Sequence, residues 1–178
     1  ADYRTTMAEL HLEYIQDWNS WSHKYGWITR NEAHGGPANL LDVYAASDIP
    51  ETETFGAVPY DISGLRFNPE NISVSDPPNP LILKFSSSAA HVAGKPLVAS
   101  ETCTWLRDHF KASLAQAKPE IDQLFTSGIN HLFYHGNAYS PVEAEWPGWM
   151  FYASTHFEQK NSFWRDIPEL NAYIARCQ

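Results

Sequence analysis

Lys95-Pro96-Leu97-Val98-Ala99-Ser100-Glu101-Thr102-Cys103-Thr104-Trp105 is the stretch whose reading decides the fold. Leu97, Val98 and Ala99 form an apolar run of strand length, and the run ends in a carboxylate, small polar residues and a tryptophan. Apolar runs of this kind suit strands covered on both faces, as a parallel sheet requires, so a strand is expected near residues 96–101. Barrels and open α/β sheets place ligands and chemistry at the carboxyl ends of their strands. Glu101 is therefore a candidate functional carboxylate, and its structural alternative is a helix cap or a surface ion pair.

Working outward, three further strands are expected near 27–31, 48–53 and 129–135. Before the first, residues 4–25 carry Met7, Leu10, Tyr14, Trp18, Trp21 and Tyr25 at three-four spacing, an amphipathic helix that Gly26 is placed to end. Pro37 is expected to open a second helix with Leu40, Leu41, Val43 and Tyr44 on its face. Pro80 is expected to open a third, with Ile82, Phe85, Ala89 and Val92 on one side and Gly94 after it. A helical stretch from Trp105 to about Phe125 follows, with Pro119 restarting it and Gly128 ending it. The last helix starts near Pro168 and shows Leu170, Ile174 and Cys177 along one stripe. Residues 54–80 read as a long loop, and Asn71-Ile72-Ser73 within it matches a glycosylation sequon.

Strands alternating with helices imply an α/β fold with a parallel sheet and right-handed crossovers. Four β/α units make a small open sheet or half of an eight-stranded barrel. A complete barrel takes about 250 residues, so 178 residues in one domain read as part of one.

Composition narrows the partners. Net charge is −9, which argues against nucleic acid or an anionic membrane. Aromatics make up 14% of the chain, with seven Trp, a surplus that suits stacking on sugar rings. The apolar runs are too short to span a bilayer. Cys103 and Cys177 allow at most one intramolecular disulfide.

The expected strand ends carry Asn31, Glu32 and His34, then Glu51 and Glu53, then Glu101, then His135. Two chemistries fit such a set. Glycoside hydrolysis needs one protonated and one ionised carboxyl group, about 5 Å apart for a nucleophile and roughly 6.5–9.5 Å when a water must fit between. A divalent metal site is the other, with carboxylates suiting calcium and added histidine suiting zinc or iron. No HExxH, CxxC, Gly-rich phosphate loop or GxSxG elbow is present. Trp105, and Tyr139 with Trp149 in the Pro/Gly-punctuated loop to Tyr152, are candidate sugar platforms, each with packing as its alternative.

The blocks Asn31–Gly35 with Leu40-Leu41-Asp42, Ala46–Glu53, Ser86–Trp105 and His131–Pro141 together resemble glycoside hydrolase family 106, the α-L-rhamnosidases and their bacterial relatives. Pro147–Trp149, Thr155–Phe157 and Leu170–Tyr173 extend the resemblance over nearly the whole chain. It implies the second half of a (β/α)₈ barrel, inverting hydrolysis of α-L-rhamnosides in polysaccharide degradation, and a periplasmic or secreted bacterial setting. It makes Glu101 the general base, with Asn31, Glu32, His34, Glu53, Trp105, His135, Tyr139 and Trp149 binding substrate. It also implies calcium near the sugar, for which Glu51 and Glu53 are the ligand candidates. The general acid is expected on a strand preceding residue 1. The remainder of a parent chain, or another copy, is then the expected partner that covers the barrel edges. The competing readings are a carbohydrate-binding fragment without catalysis, and a glycosidase of other specificity with both carboxylates in this chain.

Overall fold

The computed structural model describes residues 2–58, 60–65 and 79–178. The sequon at Asn71 lies outside them. Among these residues, five α-helices and four strands follow in the order α1 (Asp2–His23), β1 (Arg30–Glu32), α2 (Leu40–Ala46), β2 (Ile49–Phe55), α3 (Pro80–Val92), β3 (Ala99–Thr104), α4 (Leu114–Thr126), β4 (His131–Tyr134) and α5 (Ile167–Cys177). The strands form one sheet in the order β1-β2-β3-β4. β1 and β2 pair in parallel, with Glu32 opposite Glu51. His131 N–H donates to Val98 and His135 N–H to Thr102, so the two chains advance together, as parallel strands do. The expected α/β alternation of four parallel strands with helices is the observed fold.

Two compact units divide the chain. The first comprises residues 1–53, 79–100 and 127–131. Its core joins Ile15 of α1, Ala33, Val43 and Tyr44 of α2, and Ala89 of α3. The second comprises residues 54–78, 101–126 and 132–178. One of its cores gathers Cys103, Leu106, Ala117, Phe157, Phe163 and Ile167. Another sets Ile121 of α4 against Leu170 and Ile174 of α5. Truncating a fully buried side chain such as Ile121 to Ala would cost about 2–5 kcal/mol.

Several elements depart from the sequence reading, each for a local reason. β3 starts at Ala99 and runs through Glu101 to Thr104, so Glu101 is its third residue rather than its end. Ser100, Thr102 and Thr104 are buried although polar, and no hydrophobicity pattern marks them as strand. Cys103 at φ 68° and Trp105 at φ 53° then turn the chain out of extended geometry. That left-handed bend, repeated at Phe110 with φ 59°, prevents the helix expected from Trp105. α4 starts only at Leu114, where the Gln116 side chain reaches back to accept from Ser113 N–H.

Pro119 lies inside α4 without dividing it. The single hydrogen bond it forgoes is outweighed by burial of Ala117, Ile121 and Leu124 on either side. α2 is capped by Asn39, whose side chain accepts from Leu41 N–H, so it opens there and not at Pro37. The stripe expected to bury α1 is largely outside: Leu10 and Tyr14 are exposed while Ile15 packs inward. Likewise α3 buries Leu83, Ser86, Ala89 and Ala90, leaving Val92 exposed, and Cys177 is exposed on α5.

β1 begins at Arg30 instead of Trp27. Trp27 instead stacks on Tyr25 at 5.2 Å, and Thr29 donates its N–H to Asp48 at 2.7 Å. Gly128 ends α4 at φ 87°, and a Cβ there would stand 3.1 Å from Ser87 Cβ. Among the described residues no helix is long and apolar enough to cross a membrane.

Candidate active site

In the first unit, strand pleating puts Arg30 and Glu32 on one face of β1, and Glu51 and Glu53 on one face of β2. Arg30 Nη1 meets Glu51 Oε1 at 3.1 Å, and Glu51 is nearly buried. Just beyond β1, the His34 ring bridges two carboxylates: Nδ1 lies 2.7 Å from Glu32 Oε1 and Nε2 3.1 Å from Glu53 Oε2. The hydrogen bond to Glu32, then that to Glu53, lifts the imidazole to about 10 against the opposing pull of burial. His34 is therefore an imidazolium at neutral pH. Beneath it the buried Tyr44 phenol is pushed up to about 12, first by burial and then by the charge of Glu32. Asn31 Nδ2 is buried and meets no hydrogen-bond partner among the described residues.

Calcium takes six to eight oxygen ligands. Glu32, His34 and Glu53 bring one ligand atom each within 4.8 Å of one another, but one of the three is an imidazole nitrogen. Glu51, the other expected ligand, holds a guanidinium. The residues present do not fit calcium.

In the second unit, Glu101 stands at the last regular turn of the pleat before the Cys103 bend. Thr104 Oγ1 donates to Glu101 Oε1 at 2.7 Å, and His135 Nδ1 lies 2.8 Å from the same oxygen. About a third of the Glu101 side chain stays exposed, 32% against 15% for His135, so the carboxylate is both held and reachable. His135 Nε2 lies 2.7 Å from the Tyr152 carbonyl, and Phe151 stacks on the imidazole at 4.7 Å. Trp105 meets Tyr152 edge-on at 4.9 Å. The bend is held by Trp105 N–H donating to Ala153 and by Thr155 Oγ1 donating to Cys103.

Of the candidates from sequence, the fold joins Glu32, His34 and Glu53 in one cluster and Glu101 with His135 in another. Glu51 belongs to neither. Tyr139 and Trp149 lie exposed on the loop after β4, Trp149 N–H donating to Ser140 Oγ. Sequence reasoning missed Arg30, Thr104 and the Tyr152 carbonyl, and placed Phe151 only within the aromatic loop to Tyr152. The first was findable as the residue two before Glu32 on the same face. The others depend on the left-handed bends at Cys103 and Ala153, which leave no trace in side-chain pattern.

Residues 1–178 match the family model of glycoside hydrolase family 106, described as alpha-L-rhamnosidase. A putative beta-glucuronidase of Formosa agariphila is 28% identical over 180 residues, covering 99% of this chain and 14% of that protein. A solved rhamnosidase structure from Novosphingobium sp. PP1Y matches with a TM-score of 0.69 at 21% identity, over 99% of this chain and 16% of that one. That likeness speaks for the fold. The chain spans about a seventh of the length of the curated relative it matches. Matched by the family model along its whole length, the chain belongs to glycoside hydrolase family 106.

Proposed function

We propose that this chain contributes the general base, Glu101, to an inverting glycoside hydrolase acting on α-L-rhamnosides. The observation that carries the reading is the Glu101 carboxylate itself, fixed through Oε1 by Thr104 and His135 yet still open to solvent. A base must be oriented before it can remove a proton in the transition state, and it must be reachable by water. Family membership supports the reaction class.

In the proposed step Glu101 takes a proton from water as the water oxygen bonds to the anomeric carbon. The glycosidic C–O bond breaks, and its electron pair leaves on the aglycone oxygen, which takes a proton from an acid. That acid is supplied in this reading by another segment of the parent polypeptide, together with the strands that complete the barrel. The modest share of its relatives that this chain spans supports that arrangement. Trp105 and Tyr152, packed edge to face, offer ring surface to the apolar side of a deoxysugar.

The relative's printed name raises a glucuronide as the second sugar class. With 21 acidic against 12 basic residues, the chain sets its field against an anionic uronate, so the neutral deoxysugar is favoured.

The test is Glu101→Gln in the intact polypeptide that carries this chain, assayed with aryl α-L-rhamnoside and aryl β-D-glucuronide side by side. The variant is expected to lose about 10²–10⁴-fold in kcat on the rhamnoside. Activity within a few-fold of wild type would remove Glu101 from the mechanism, and turnover of the glucuronide alone would remove the substrate.

A further inference from the structure

We propose that His135 is a positioning residue for Glu101 and not a sugar ligand: it is locked by the Tyr152 carbonyl so that its Nδ1 faces the carboxylate across a shared proton. This inference rests on the reading of Glu101 as the base.

Proton accounting on the ring carries the argument. The Tyr152 carbonyl oxygen can only accept, so the His135 nitrogen 2.7 Å from it, Nε2, carries a hydrogen. A neutral ring with Nε2–H would then present a lone pair at Nδ1. Nδ1 faces Glu101 Oε1 at 2.8 Å, where a lone pair opposite an ionised oxygen repels. One proton must therefore lie on the Nδ1–Oε1 axis. Each ring nitrogen then has a protein partner, and neither is left for a sugar hydroxyl.

The surroundings hold the ring in that one orientation. His135 N–H donates to Thr102 at 2.9 Å, which fixes the backbone beside β3. Phe151 stacks at 4.7 Å with 20° between planes, which fixes the ring's tilt. Gly136 makes that stacking possible: a Cβ there would stand 3.2 Å from Phe151 Cε1. Ser154 Oγ donates to the Gly136 carbonyl, closing the 152–154 segment onto the end of β4. Ala153 at φ 58° is the non-glycine residue bent to turn the Tyr152 carbonyl toward the imidazole. A left-handed conformation at alanine costs about 1–2 kcal/mol. Strain of this sort is retained where the surrounding structure over-determines it, as at catalytic sites.

The experiment uses the intact polypeptide, with His135→Ala and His135→Gln measured beside Glu101→Gln. Both His135 variants are expected to lose about 10–100-fold in kcat, the range typical when a side chain that orients a functional group is removed. KM should stay within a few-fold, because the sugar loses no ligand. Added imidazole should restore part of the His135→Ala rate. A rise in KM with kcat unchanged would make His135 a sugar ligand and overturn the proposal, as would a His135→Ala rate that added imidazole leaves unchanged. Should His135→Ala fail to fold, the kcat and KM of His135→Gln decide. Its amide can donate to Glu101 but cannot also hold the Tyr152 carbonyl. If Glu101→Gln is itself active, the base reading fails first. If Glu101→Gln is inactive while the His135 variants keep the wild-type kcat, only the positioning role fails.

Discussion

His34 Nδ1 stands 2.7 Å from Glu32 Oε1, close enough that the imidazole keeps its proton far above the ordinary histidine range. Glu53 completes the bridge from the other side at 3.1 Å. A base whose folded pKa is raised, here to about 10, contributes stability that is whole below its unfolded value of about 6.5 and is lost as pH climbs toward 10. Solvent reaches the ring, so the contribution is discounted to about 1–2 kcal/mol. Urea unfolding of wild type and His34→Gln should therefore converge between pH 6.5 and 10. Parallel pH curves would show that the bridge holds no extra proton.

Arg30→Met takes the guanidinium from a nearly buried carboxylate, Glu51. We expect a loss of about 1–3 kcal/mol, with much of it recovered in Arg30→Met/Glu51→Gln, because the desolvated charge is then gone as well. Denaturation of the two variants measures this. A wild-type melting temperature that climbs with added calcium, a climb lost in Glu51→Gln, would instead put a metal on Glu51.

Glu120 is buried on α4, accepts from Val58 N–H at 3.1 Å and lies 3.3 Å from the Tyr60 hydroxyl. Burial pushes its carboxyl up to about 7, with those two hydrogen bonds pulling the other way. An acid with a raised folded pKa stabilises the fold least at high pH: its favourable share is complete below about 4.5 and is lost as pH rises through 7. Glu120→Gln should therefore gain about 1–3 kcal/mol over wild type at pH 8 and little at pH 4. Thermal melts at both pH values decide, and a variant less stable at pH 8 would contradict the assignment.

His156 is fully buried, 2.7 Å from His109 Nδ1 through its Nε2, with Phe110 stacked on it at 4.4 Å. Burial, then the neighbouring His109, depresses its pKa. The fold thus holds it neutral, and the stability this gives is present above about 6.5 and is lost as pH falls below it. His156→Asn should flatten that acid-side loss in a pH series of unfolding curves. An unchanged slope between pH 6.5 and 5 would place the titration elsewhere.

How much of this could be read beforehand divides along a physical line. The alternation was legible because glycines at 26, 94 and 128 punctuate it and because helix patterns repeat at three-four spacing. Glu101 stood out as a candidate because an apolar run of strand length ends in it. Where the reading slipped, tertiary context overrode the local pattern. β3 hides its register because Ser100, Thr102 and Thr104 are small enough to bury without being apolar. Tyr14 and Leu10 keep helical spacing on α1 while facing out, since spacing reports a face and not its direction. The Arg30–Glu51 pair is a product of strand register, which a single sequence does not contain. The partner of His135 Nε2 is a backbone carbonyl, and carbonyls have no letter.

Among the described residues of the second unit, five with side chains, Cys103, Trp105, Phe110, Ala153 and His156, hold left-handed backbone. At the buried Cys103 and His156 the packing lost to glycine outweighs the strain relieved, whereas Ala153→Gly gives up only a methyl group and would relieve about 1 kcal/mol. A library of this chain ranked by heat tolerance alone would therefore drift toward glycine at Ala153, loosening the turn behind Tyr152 while its melting temperature rose. Selection of variants should read turnover and unfolding together, because at Ala153 the two run in opposite directions.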